Sequence, residues 1–203
     1  NGEIGISYEY RDYASGGFSN TPETREYGGA VYSIRNWKLK KWGLASSLRW
    51  DIRNIVPRLN LTSSTIGKTR KRLFRGFSGG ASLQHQPFNK WDITVTLMRS
   101  FRAPTVEELF SSGPHLAAYS YEVGNTDLDR EKGLGIEVAA SWDGPKLKLQ
   151  LAIFENRYRN FLYAENTGSM SLRRADLPLY QVRGQNARFQ GAEGNFLIPI
   201  HTH

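Results

Sequence analysis

The sequence predicts an all-β chain, an antiparallel meander of about nine strands, on three observations. Apolar and polar residues alternate with period two over segment after segment, long and short connections follow one another in strict alternation, and aromatics gather at the strand ends.

The first segment is the clearest. Ile4, Ile6, Tyr8 and Tyr10 alternate with Glu3, Gly5, Ser7, Glu9 and Arg11, which gives a strand one apolar and one polar face. A weaker alternation follows over 27–35. Trp42, Leu44, Leu48, Trp50 and Ile52 then oppose Gly43, Ala45, Ser47, Arg49 and Asp51, with Ser46 the one polar break in the apolar row. After a weak strand over 73–85, Trp91, Ile93, Val95 and Leu97 oppose Asp92, Thr94, Thr96 and Met98. Leu134, Ile136, Val138, Ala140 and Trp142 oppose Gly135, Glu137, Ala139 and Ser141, and Leu147, Leu149, Leu151 and Ile153 oppose Lys148, Gln150 and Ala152. A last weak alternation covers 180–196.

Between these strands the long connections are 14–25, 54–71, 103–132 and 163–178, and the short ones are 36–41, 86–89 and 143–145. A soluble sandwich has no reason to put every long loop at one end, whereas an outer-membrane barrel has short periplasmic turns and long external loops. Trp42, Trp91 and Trp142 beside the short turns, with Trp50 and Phe101 towards the long loops, match the two interfacial girdles of such barrels.

Composition narrows the class from the other side. The chain has no Cys, which excludes disulfide scaffolds, thiolate zinc sites and a cysteine nucleophile. No apolar run reaches the length of a membrane-spanning helix. Mean hydropathy is negative, which remains compatible with a transmembrane barrel because only alternate strand residues face lipid. On that reading Ile4, Ile6, Leu44, Leu48, Ile93, Val95, Ile136, Val138, Leu149 and Leu151 face lipid. Asn1 enters a strand almost at once and 197–203 lead towards another turn, so the chain is expected to be an internal piece of a longer protein.

The longest loop opens on Arg99-Ser100-Phe101-Arg102-Ala103-Pro104-Thr105-Val106-Glu107-Glu108-Leu109-Phe110 and closes on Gly124-Asn125-Thr126-Asp127-Leu128-Asp129-Arg130-Glu131. This resembles the barrel of TonB-dependent outer-membrane receptors, where F-R-A-P-T/S-x-x-E-L-F/Y is followed by G-N-x-x-L-x-x-E. The segment from Phe154 to Phe161 is similar to the family's F-x-N-R-Y-x-N-F strand, and Gly191 with Glu193 to its following G-x-E. The resemblance implies a barrel of about 22 strands closed by a plug, of which residues 1–203 form part. Plug, TonB-contacting segment and terminal strands are expected outside this chain. It further implies a receptor and transporter of a Gram-negative outer membrane, in contact with outer-membrane lipid and lipopolysaccharide. Uptake would be driven by the TonB complex acting through the plug, with no permanently bound cofactor. Residues 111–117 are similar to a G-x-H-x-A stretch of zinc- and haem-uptake receptors, which points to a metal ion or metal chelate as cargo: zinc, haem or a ferric siderophore. The alternative from another class is a non-transporting barrel such as an adhesin.

The candidate residues divide into structural and chemical groups. Pro104 to Phe110 is expected to open a short helix, with Pro at its first position and Glu107 and Glu108 at the positive end of its dipole, ordering the root of the loop. His115 alone among the four histidines sits in a long outside loop, where an imidazole can bind a transition metal. Zinc takes three or four ligands, and Glu108, Glu122 and Asp127 are the distant candidates. The carboxylates over 127–131 do not make a calcium loop, since Lys132 and Val138 occupy its glycine and glutamate positions. Gly76-Phe77-Ser78-Gly79-Gly80 matches G-x-S-x-G, but the alternation runs straight through Ser78 and no triad accompanies it. Nothing in the chain points to catalysis. Lys68, Arg70, Lys71, Arg72 and Arg75 form a basic cluster at the outer end of a strand, suited to lipopolysaccharide phosphates. The absence of an aromatic stacking platform argues against nucleic acid. Asn60-Leu61-Thr62 is a glycosylation sequon that carries little meaning in a bacterial outer membrane.

Overall fold

The computed structural model describes residues 1–14, 21–58, 62–63, 67–171 and 176–198. Asn60, His201 and His203 lie outside them. The long strands are β1 (Gly2–Tyr13), β2 (Thr24–Leu39), β3 (Trp42–Pro57), β6 (Arg72–His85), β7 (Trp91–Arg102), β10 (Glu131–Asp143), β11 (Lys148–Met170) and β12 (Pro178–Leu197). Two short hairpins lie in the long connections, β4 (Thr62–Ser63) with β5 (Gly67–Lys68), and β8 (Ser112–His115) with β9 (Ser120–Val123); one helix, α1 (Val106–Phe110), precedes β8. The main sheet holds ten strands in the order β1-β2-β3-β6-β7-β10-β11-β12-β9-β8. Sequential long strands are antiparallel neighbours throughout, so the wall is a meander.

Register places the alternating sets on common faces. Ile6 pairs with Val31, Val31 with Trp50, Leu44 with Leu83, Leu83 with Val95, Val95 with Val138 and Val138 with Ile153. On this face Ile6 is 83% exposed, Leu48 59%, Leu97 53% and Ile153 60%. Large aliphatic side chains this open are unstable against water over so wide a surface, and are the lipid-facing coat of a barrel wall. Ile93 and Val95 belong to this open coat and to no enclosed core. Trp37, Trp42, Trp91 and Trp142 occupy the same face at the short-turn end, and the ring of Trp42 stacks on His85 at 3.8 Å.

The opposite face is polar. Ion pairs run along it: within β3, Arg49 Nε to Asp51 at 2.9 Å, and across strands, Arg53 to Glu9 at 3.0 Å and to Glu26 at 3.3 Å, and Arg11 to Glu26 at 3.4 Å. Charges on this face are compatible with a water-filled or plugged lumen and not with lipid.

Three sequence expectations are corrected. The connection over 163–178 is mostly strand, because β11 continues to Met170 and β12 starts at Pro178, with register shifts between Tyr158 and Phe161 and between Asn166 and Met170. At 23 and 20 residues this hairpin exceeds the roughly 9–11 that cross a bilayer and projects beyond it. Its polar composition masked the strand, since neither face of a projecting hairpin meets lipid. Phe101 turns inward: the position a Gly76 Cβ would take lies 2.1 Å from its ring, and the ring packs on the buried core. The third correction concerns the basic cluster. Arg70 is tied to Asp127, and Arg72 donates to the carbonyls of Thr126 and Leu128, so both serve the neighbouring loop.

Candidate functional site at the outer rim

The connection between β7 and β10 folds back on the polar face and supplies the main buried core among the described residues. Val106, Leu109 and Phe110 of α1, with Leu128, pack on Ile55 of β3, Phe74 of β6, Leu162 of β11 and Val182 of β12. An apolar face of a five-residue helix is too short to fold alone, and its stability comes from this docking.

The helix start is doubly tied. Thr105 Oγ1 accepts from the Glu108 amide at 3.2 Å, while Glu108 Oε2 accepts from the Thr105 amide at 2.8 Å, a capping box. Arg102 Nη1 donates to both Glu108 oxygens at 3.0 and 2.9 Å, and its Nη2 to Glu131 at 3.2 Å. Glu131, itself buried, also accepts from the Leu162 amide at 3.0 Å. One arginine therefore holds the helix, the first residue of β10 and, through Glu131, β11.

The loop's return limb fits against the end of that helix. A Cβ on Gly124 would lie 2.8 Å from the Glu108 carbonyl oxygen, so only glycine allows the approach. The amides of Gly124 and Asn125 donate to the carbonyls of Ser111 at 2.8 Å and Glu108 at 2.9 Å. Asn125 Oδ1 accepts from the Asp127 amide at 2.9 Å, turning the chain so that Leu128 enters the core. Pro104 is fully buried beside Ala103, which packs on the same cluster. On β11, Asn160 adopts a left-handed backbone (φ 57°) at the register shift and its Nδ2 donates to the Asp129 carbonyl at 2.7 Å. Gly184 opposite makes room for that side chain, as Gly191 does for the ring of Phe154; Glu193 stands exposed, paired with Ala152.

Beyond this root the loop forms the β8–β9 hairpin, and β9 pairs in parallel with residues 179–181 of β12. His115 and Glu122 face each other across it, Nδ1 to Oε1 at 2.8 Å, and Ser120 Oγ donates to the same carboxylate oxygen at 3.1 Å. Of the three carboxylates that the sequence offered to His115, the fold brings up only Glu122. Glu108 is held by Arg102 and Asp127 by Arg70. Among the described residues no group of three or more metal-ligating side chains converges. Ser78 is in mid-strand, its Oγ accepting from the Phe101 amide at 3.2 Å.

The family model described as TonB dependent receptor-like, beta-barrel matches residues 2–197. The chain belongs to this family. Its wall therefore lies in the outer membrane of a Gram-negative bacterium, with the long loops outside. Solved structures of the same fold include the copper transporter OprC (18% identity, TM-score 0.67) over 85% of this chain and 26% of that one. The haemophore receptor HasR of Serratia marcescens, in complex with its haemophore and haem, matches at 16% identity and TM-score 0.68 over 96% of this chain and 36% of that one. The FrpB iron transporter of Neisseria meningitidis matches at 12% identity and TM-score 0.69, over 98% and 31% respectively. The chain thus spans about a quarter to just over a third of these three proteins.

Sequence reasoning located the loop's two motifs but missed what joins them. Arg102, Glu108 and Glu131 were each named, and only folding shows them as one network. Asn160 and its glycine partner Gly184 carried no signal beyond the F-x-N-R-Y-x-N-F pattern itself.

Proposed function

We propose that this chain is part of the barrel of a TonB-dependent transporter that takes up a metal ion or a metal chelate, with zinc, haem and a ferric siderophore as the cargo classes. Other segments of the same protein would complete the barrel and supply the plug through which the TonB complex acts. Outer-membrane lipid and lipopolysaccharide surround the wall. The chain's own part is to bind and to admit, and no group in it is assigned a catalytic step.

The observation that carries the cargo class is the pairing of His115 with Glu122. A carboxylate only accepts, so the pairing puts the proton of a neutral imidazole on Nδ1 and leaves the lone pair on Nε2 of this half-exposed ring. That is the arrangement of a metal-binding histidine backed by a carboxylate. A bare zinc ion needs further ligands from plug or loops, whereas a chelate brings most of its own. Leu116 and Tyr119 beside it are 68% and 69% exposed and offer an apolar contact to a chelate's organic part. Similar structures that carry copper, iron or haem support the same class.

The test is binding and growth with the full-length receptor and its His115→Ala variant, using zinc, haem and a ferric chelate in turn. The variant is expected to lose on the order of tenfold or more in affinity for one of the three, the worth of a ligand or its carboxylate partner. Unchanged affinity for all three removes His115 from the site.

A further inference from the structure

The lipid-facing side of the wall carries a cluster of cations at its outer edge. Arg99 pairs with Leu134 and with Gly79, and Arg75 with Ile52, which puts both on the face shared by the aliphatic coat. Lys132 stands two pairs further out on the same ladder, opposite Phe101 and Arg159. The β6–β7 pairing stops at Gly79 and Arg99, and beyond that point the strands part around a notch of about 220 Å³. Arg75, Arg99, Arg130 and Lys132 line it with Trp50 and Phe77. Arg75 and Arg99 are exposed, and Trp50 and Phe77 are the girdle aromatics at this level.

None of the four cations forms an ion pair among the described residues. The nearest acid along this row, Glu155, opposes Ile136 and is already engaged by Arg157 and Arg188. Arg130 donates through one guanidinium nitrogen to the Arg75 carbonyl, while its Nε is buried without a partner. Four like charges around one notch, bordered by lipid, repel one another unless an anion enters between them. The opposite rim differs in kind: Lys38, Lys40, Lys41, Lys90, Lys146 and Lys148 gather at the short turns, whereas three of the four notch cations are arginines, whose planar fork matches a phosphate.

We propose that this notch binds a phosphate of an outer-leaflet phosphoglycolipid, the lipopolysaccharide class, between Arg75, Arg99, Arg130 and Lys132. Its acyl chains lie on the coat below, over Leu97, Ile136 and Val95. The position fixes the source of the phosphate: the notch is continuous with the apolar band, at the level where the headgroup of an outer-leaflet lipid sits, and a lipid anchored by its acyl chains reaches it at a far higher effective concentration than a soluble anion. The site rests on the outer-membrane placement and is independent of the cargo. Arg70 and Arg72, which the sequence grouped with Arg75, take no part.

The test uses the full-length receptor in detergent, confirmed as a folded barrel by its heat-dependent gel mobility, and measures binding of diphosphoryl lipid A, of its dephosphorylated form and of inorganic phosphate. Diphosphoryl lipid A is expected to bind, and both the Arg99→Gln/Lys132→Gln variant and removal of its phosphates are expected to weaken binding about tenfold or more, as for loss of charge-assisted hydrogen bonds. An Arg75→Lys/Arg99→Lys variant, which keeps the charge and loses the planar fork, is expected to bind more weakly than the parent and more tightly than the glutamine variant, and serves as the folded control. Equal binding of phosphorylated and dephosphorylated lipid, or no loss in the glutamine variant, overturns the site. Displacement of the lipid by inorganic phosphate at matching concentration overturns the lipid as its occupant. Absence of the receptor from the outer-membrane fraction would instead refute the membrane placement.

Discussion

The wall and the folded loop at its rim are built by different physics. In the wall, hydrogen-bonded ladders satisfy the backbone, side chains of one face are left to lipid, and scarcely any side chain between Ile4 and Ile153 on that face is buried by protein. In the loop root, Val106, Leu109 and Phe110 are at most 1% exposed, as in a soluble domain, and Arg102 ties Glu108 and Glu131 into one polar network. The wall is specified by a period, repeated along many strands, and tolerates exchange among apolar residues. The root is specified by single residues at fixed positions, and so reads in sequence as a motif.

This difference can be broken from either side. The largest effect is expected in the root: Leu109→Ala removes a fully buried side chain from the cluster and should cost about 2–5 kcal/mol, read as faster hydrogen exchange of the helix amides in the full-length receptor. The strands should be unaffected. In the wall the sensitive change is a charge and not a truncation. Val138→Arg, at mid-ladder on the lipid face, should cost roughly 2–4 kcal/mol in folding into vesicles, whereas Thr96→Arg on the polar face should cost much less. Equal costs at the two positions would mean the faces are not distinguished by lipid. A smaller effect, about 0.5–2 kcal/mol, is expected for Thr105→Ala, which removes one half of the capping box and leaves Arg102 to hold Glu108. Its readout is protease sensitivity of the loop; no change would show that the arginine network alone orders the root.

How legible each region was follows from the same contrast. Strand after strand was read from alternation, because lipid on one side and a polar lumen on the other impose it; Ile4, Leu48 and Val138 stand on the face expected of them. Alternation fails where a strand leaves the bilayer, which is why the outer half of the β11–β12 hairpin read as loop. It also misplaced Phe101, whose ring turns inward over Gly76 where the β6–β7 ladder has ended. In the root, a short helix was legible from Pro104 and the two glutamates, but Pro104 does not hold its first position: Thr105, which carried no weight in the sequence, is the N-cap and the helix starts at Val106. The partnership of Glu108 with Glu131 through Arg102 was not legible, because a contact between residues so far apart in sequence leaves no local pattern. The same holds for His115 and Glu122, brought together only by the β8–β9 hairpin.

The central claim is that one face of this meander meets lipid and the other a polar lumen. Single cysteines at Val95 and Thr96, adjacent residues on opposite faces of β7 in a chain that has no native Cys, test it directly in the full-length receptor reconstituted in vesicles. A spin label at Val95→Cys should be relaxed by oxygen dissolved in the bilayer and shielded from a water-soluble nickel complex, and a label at Thr96→Cys should lack the contact with lipid-dissolved oxygen. Equal response of the two sites, or shielding of Val95→Cys from both reagents as in a closed soluble core, would contradict the account.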